Sequence, residues 1–168
     1  YCSPVVIDYG GQLHIIYGSG GENDKGALWR TTVADLMADN LEASTMLVSD
    51  PSLGFIAPSS IADMNDDGVL DIINQAYDGT IRCFDGATNA LIWEVVNPGT
   101  ESSSGPTIGN FIGDATPDVF NVVYKGVAPS FSDFYQIMID GATGNVAWKD
   151  SLGYMHYGAS SAVDLDMN

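Results

Sequence analysis

The sequence predicts an all-β fold of repeated four-stranded antiparallel units, the arrangement of β-propeller blades. Three observations carry this. The tetrapeptide Asp-Gly-Ala-Thr occurs at 85–88 and again at 140–143, each time leading into a short apolar segment that ends in tryptophan, Trp93 and Trp148. An Asp/Asn-rich loop with a glycine at its sixth position, Asp63-Met64-Asn65-Asp66-Asp67-Gly68-Val69-Leu70-Asp71, stands upstream of the first copy. Its starting position recurs, intact or degraded, at 8, 63, 110 and 164, spaced by 55, 47 and 54 residues. About three blades plus the start of a fourth follow, over 1–56, 57–103, 104–157 and 158–168. That is too few to close a ring of the usual four to eight blades.

The middle unit shows the plan. A short strand over 58–62 runs into the loop 63–71, a second strand covers 72–77, and Asp78-Gly79 turns the chain into a third at 80–84. Residues 85–89 turn it again into a fourth at 90–96. Asp-Gly favours a two-residue type I′ hairpin, whose central residues both need positive φ. In the third unit strands are expected at 119–124 and 135–139, with 125–134 inserted between them as a loop. The first unit places strands at 12–17 and 27–33, a long loop at 18–26, a helical turn at 34–37 and a last strand at 45–48. By period, Leu47 takes the place of Trp93 there, and Trp29 falls on the third strand.

Composition agrees with a folded, strand-rich chain. Hydrophobic residues make up 45% and charged residues 16%, against disorder, and the 19 glycines suit many tight turns. Acidic residues outnumber basic ones 22 to 5, for a net charge of −17. That excludes a nucleic-acid binder, which neutralises phosphates with Lys and Arg, and disfavours an anionic membrane surface. No apolar run approaches the ~20 residues of a membrane span. The chain begins with Tyr1 and shows no signal peptide, so a processed product or an excised fragment is expected. Cys2 and Cys83 have no metal-ligand spacing; a disulfide stays open, with two free thiols preferred.

The loop 63–71 carries the chemistry. Oxygen-bearing side chains stand at positions one, three, five and nine, and Val69 at position seven offers its carbonyl. Hard cations such as Ca²⁺ take six to eight oxygens, which a short loop supplies from alternate residues. The glycine permits the sharp turn. An EF-hand would need Glu at position twelve and a following helix; Asn74 stands there and a strand follows. The expected ligands are Asp63, Asn65, Asp67, Val69 and Asp71, and, in a second copy, Asp164, Asp166 and Asn168. In the loop starting at Asn110, Ile112 replaces the third ligand and Ala115 the glycine, so that loop is expected to be empty.

These residues resemble the FG-GAP/VCBS repeats, best known from the propellers of integrin α subunits. Asp63, Asn65, Asp67, Gly68 and Asp71 match the family pattern in full. The blade end from Asp140 to Trp148, with Gly153, is similar to the tryptophan-docking pattern of quinoprotein-like propellers, where the indole packs between neighbouring blades. The resemblance implies calcium, an extracellular or cell-surface setting and a non-catalytic role in adhesion, ligand binding or assembly. The partners it implies are a protein or carbohydrate on the propeller face, or other copies of the chain. Two alternatives stay open: a carbohydrate-active enzyme of polysaccharide-lyase type, and a structural subunit of a surface filament. No catalytic motif selects the enzyme. His14 and His156 stand in no motif, no Gly-x-Ser-x-Gly elbow is present, and Ser102 to Ser104 read as a loop. Tyr154, Met155, His156 and Tyr157 form an aromatic group read as packing between blades.

Overall fold

The computed structural model describes residues 2–151 and 160–163. The described residues form three antiparallel sheets in chain order, and no ring is closed. The first contains β1 (Val5–Tyr9), β2 (Gln12–Gly18), β3 (Gly26–Thr32) and β4 (Thr45–Asp50). In the second are β5 (Ser60–Ala62), β6 (Asp71–Gln75), β7 (Ile81–Phe84) and β8 (Leu91–Val95). The third comprises β10 (Thr107–Gly109), β11 (Asp118–Val127), β12 (Ser130–Ile139) and β13 (Val146–Ser151). A two-residue strand, β9 (Thr100–Glu101), pairs with β11. Apart from β9, each sheet is a plain meander in which strands consecutive in sequence pair in space.

Alternation along β6 explains how the sheets stack. Successive side chains of a strand point to opposite faces. Ile72 therefore joins Ile7, Ile16, Leu28 and Phe55 in the core between the first two sheets. Ile73 joins Trp93, Val119, Val123 and Ile137 in the core between the second and third. All five residues of β6 are buried, as expected of a strand covered on both faces.

Three local expectations are corrected. The turn at Asp78-Gly79 is not type I′: Gly79 alone has positive φ (78°), and Ala76 N–H donates to the Thr80 carbonyl. The loop is thus three residues with glycine in the left-handed position, which spares Asp78 the strained conformation. Residues 125–134 are not a loop. They extend β11 and β12 into one long hairpin, stitched to the preceding connection by the Thr100 and Glu101 pairing and by the bond from Gly126 N–H to the Gly99 carbonyl. Finally, each third-to-fourth strand pair skips one residue, at Leu47, Ile92 and Ala147. Val48, rather than Leu47, stands level with Trp93 and Trp148. The short helix α1 (Val33–Met37) forms where expected, its first turn capped by Thr32 Oγ1 accepting from Asp35 N–H at 2.9 Å. Both cysteines are free, Cys83 buried and Cys2 partly so.

The two sheet junctions are clamped differently. At the second, the Trp93 indole N–H donates to the Gly141 carbonyl at 2.7 Å, from a ring that is 7% exposed. A Cβ at Gly144 would lie 2.7 Å from Trp93 Cβ, so the turn under the indole must be bare there. At the first, Arg30 makes the equivalent contact. Its Nη1 donates to the Gly86 carbonyl and to Asn89 Oδ1, both at 2.7 Å, and its guanidinium lies 4.1 Å over the Tyr9 ring. Asn89, with φ 63°, takes the place of Gly144, with φ 71°. An indole needs room above the turn, whereas a guanidinium needs an acceptor in it.

Two predictions follow from these clamps. Trp93→Phe keeps the ring but leaves the buried Gly141 carbonyl without its donor. It is expected to lower the unfolding free energy by about 1–3 kcal/mol in denaturant titrations. His14 Nδ1 accepts from Arg30 Nε at 3.1 Å and so must be neutral. Burial, then Arg30, hold its pKa below the ordinary 6.5, with Asp35 pulling the other way. The unfolded chain then takes up this proton at a higher pH than the folded one. Stability should fall as pH drops below about 6.5 and level off once the folded imidazole has titrated. His14→Gln, which can still accept from Arg30, should flatten that segment of the melting temperature against pH.

Candidate metal loop

The loop 63–71 joins β5 to β6 and folds around its own oxygens. Gly68 N–H donates to Asp63 Oδ2 at 2.9 Å, and Asp67 N–H to Asn65 Oδ1 at 3.1 Å and to Asp63 Oδ1 at 3.3 Å. Val69 N–H donates to Asp67 Oδ1 at 2.8 Å. Two residues enter the left-handed region to make this winding, Asp66 (φ 59°) and Gly68 (φ 82°). Asparagine and aspartate tolerate that region through local hydrogen bonds, and glycine does so freely. The Asp63, Asn65 and Asp67 side chains are thereby gathered into one short, largely exposed turn.

Asp71 plays a separate part. Its carboxylate is fully buried, with Oδ2 accepting from Met64 N–H at 2.7 Å and Oδ1 from Gly86 N–H at 2.8 Å. It ties the start of the loop to the Asp-Gly-Ala-Thr turn between β7 and β8. A Cβ at Gly86 would fall 1.9 Å from the Leu70 carbonyl oxygen, so the turn can approach this closely only as glycine. Burial raises the Asp71 pKa; the two amides oppose this, and Asp67 and Asp85 add repulsion.

The third sheet repeats the device. Asp118, also fully buried, accepts at Oδ2 from Phe111 N–H (2.7 Å) and Ile112 N–H (2.8 Å), and at Oδ1 from Gly141 N–H (3.4 Å). A Cβ at Gly141 would fall 1.8 Å from the Pro117 carbonyl oxygen. Gly113 (φ 84°) takes the left-handed fourth position that Asp66 holds in the other loop.

Among the described residues, one group of carboxylates could hold a metal ion: Asp114, Asp118 and Asp140, whose oxygens lie within 4.8 Å of one another. Asp114 and Asp118 are positions five and nine of the loop expected to be empty, and Asp140 opens the second Asp-Gly-Ala-Thr turn. Sequence spacing within the loop missed Asp140. The signal that could have found it was the repeated tetrapeptide, since its aspartate is brought beside the loop in both sheets. In the second sheet the corresponding Asp85 accepts from Asn65 Nδ2 at 3.3 Å. The ligands expected at Asp164, Asp166 and Asn168, and the aromatic group at 154–157 with Gly153, lie outside the described residues. Ser102 and Ser104 are buried; Ser102 Oγ donates to the Val122 carbonyl at 2.6 Å.

No family model and no curated protein matches the sequence. Among solved structures the chain is similar to a europium-containing methanol dehydrogenase, at 14% identity and a TM-score of 0.43. The match covers 90% of this chain and 26% of that one, so the chain spans about a quarter of the length of the protein it matches.

The two functions assigned to the loop aspartates separate experimentally. Asp71→Asn turns an amide group toward a backbone N–H and should cost about 2–3 kcal/mol. In denaturant titrations that loss is expected to be the same with and without chelator, because the latch is made of backbone amides.

Proposed function

We propose that this chain is a calcium-stabilised, non-catalytic propeller module of the FG-GAP/VCBS type, working outside the cell in adhesion, ligand binding or surface assembly. The observation that carries the reading is the loop 63–71, which gathers hard oxygen donors and no nitrogen or sulfur ligand onto one turn. That donor chemistry suits Ca²⁺. Asp63, Asn65, Asp67 and the Val69 carbonyl would hold the ion, while Asp71, expected from the spacing as a further ligand, would hold the loop behind them through the Met64 and Gly86 amides. The ion would neutralise carboxylates that otherwise repel one another. Asp114, Asp118 and Asp140 offer a second place of the same chemistry.

A structural role for the ion fits its position. The loop joins the first two strands of a sheet, at the end where the Asp-Gly-Ala-Thr turn is latched to it. Extracellular calcium modules bind with dissociation constants on the order of 10⁻⁴–10⁻³ M, so they fill outside cells. Partners on the propeller face, whether protein, carbohydrate or other copies of the chain, belong to the same reading. His14 supports a non-catalytic role, since its Nδ1 is engaged by Arg30 and its ring edge packs on Tyr9 at 5.3 Å.

At a calcium concentration about twenty times the dissociation constant, binding stabilises the fold by about 1.8 kcal/mol. That corresponds to about 4–7 °C in melting temperature for a domain of this size. Chelation should remove this increment, and Asp67→Ala should lower the calcium-loaded melting temperature by a similar amount while leaving the chelated value nearly unchanged. A chelator-insensitive melting curve, together with no heat of calcium binding in titration calorimetry, would refute the proposal.

A further inference from the structure

We infer that the hollow lined by Pro98, Thr100, Lys125, Tyr135 and Lys149 is a binding site for an acidic sugar, a carboxylate or sulfate carried on a saturated ring. The hollow, of about 400 Å³, lies at the junction of the second and third sheets, at the end away from the loop 63–71. Val123 and Ile137 belong to the core between these sheets. Lys125 stands two residues beyond Val123, and Lys149 is level with Ile137. Tyr135 stands two residues before Ile137 and packs against the same core. Alternation along the strands therefore turns all three side chains toward the second sheet. Pro98 and Thr100 close the hollow from the connection that follows β8.

Charge points to the ligand. The chain has 5 basic residues against 22 acidic ones, and two of the five converge here. Arg30 is bonded to the turn at Gly86, and Arg82 Nε to Glu94 at 2.6 Å. Lys125 and Lys149 make no ion pair among the described residues. Asp133, level with Lys125, is engaged by Ser151 Oγ at 2.6 Å, by Phe134 N–H at 2.8 Å and by the Tyr135 hydroxyl. Lys149 Nζ is held in place, donating to Asn97 Oδ1 at 3.3 Å and lying 4.6 Å from the centre of the Tyr135 ring. Burial, then the charge of Lys125, hold the Lys149 pKa below the ordinary 10.5. An anion between the two ammonium groups relieves their repulsion. Pro98, the Tyr135 ring and the lysine stems offer apolar surface beside the charges, which suits the C–H face of a sugar. A net charge of −17 repels a densely charged polymer and favours anionic groups spaced by neutral atoms. The inference narrows the carbohydrate partner of the proposed function and rests on its binding role, not on calcium.

The test titrates the 168-residue chain, in chelator, with oligogalacturonate, a sulfated galactan fragment and a neutral dextran fragment. Calorimetry should show binding of an acidic fragment and none of dextran, with affinity falling as salt is raised. The preferred fragment separates carboxylate from sulfate. Lys125→Met and Lys149→Met should each weaken binding about tenfold, the loss of one charge-assisted contact. Lys25→Met, in the loop before β3, should leave it unchanged. By NMR, the Lys149 pKa should rise when the acidic fragment is bound. Equal binding of dextran, no binding by the folded chain, or binding that survives both lysine substitutions would overturn the inference. Tighter binding of oligoglutamate than of either acidic fragment would also overturn it, assigning the hollow to an acidic polypeptide. If a lysine variant does not fold, the Lys149 pKa in the parent chain, with and without the fragment, decides. The calcium reading is decided separately, by the melting curves, so either can fail without the other.

Discussion

A buried aspartate held between two backbone amides is the contact on which the sheets of this protein depend. Asp71 and Asp118 each stand at the first residue of a second strand, fully out of water. Each accepts from the start of the preceding loop and from the glycine of the turn between the third and fourth strands. A carboxylate stripped of water is costly unless it is bonded, and charge-assisted bonds to amides are the compensation available here. The bonds fix the position of the glycine turn, and the glycine carbonyl is what the neighbouring sheet grips. The clamp between sheets therefore rests on a latch within each.

The two clamps show how one geometric demand admits two side-chain solutions. A carbonyl at the rim of the turn can be satisfied by an indole N–H from the fourth strand or by a guanidinium from the third. The first brings bulk and needs glycine beneath it; the second brings charge and uses Asn89, Tyr9 and His14 around it. The clamp of the first junction consequently includes a charge and an imidazole that can be protonated, whereas the clamp of the second is an apolar ring with one N–H donor. This difference sits in the linkage between packing and electrostatics, and strand order alone does not reveal it.

The metal loop and the latch share residues without sharing a task. Asp63, Asn65 and Asp67 lie in an exposed turn that folds on its own amides, where a cation would relieve repulsion among carboxylates. Asp71 lies behind them with both oxygens engaged. The neighbouring loop keeps the latch at Asp118 although Ile112 and Ala115 have replaced two positions of the metal pattern. The latch is thus made in both loops, whichever residues stand at the other positions of the pattern.

Much of this was legible in the chain. Alternation, glycine turns and the repeated Asp-Gly-Ala-Thr located the meanders, the helix after Thr32 and the oxygen-rich loop, because those features depend on neighbours a few residues away. Other features depended on distant residues and could be settled only by the tertiary structure. Val48 stands level with Trp93 because a bulge shifts the register by one, and a period count cannot see a bulge. Residues 125–134 became strand because β11 and β12 pair with each other out to Val127 and Ser130, with Thr100 and Gly99 of the previous connection bonded beside Lys125 and Gly126. Asp140 reached Asp114 and Asp118 because the latch folds the turn onto the loop. Local hydrogen-bonding preference wrote the elements into the sequence. Which buried carboxylate, which indole and which guanidinium hold them together was decided only where packing brought remote parts of the chain into contact.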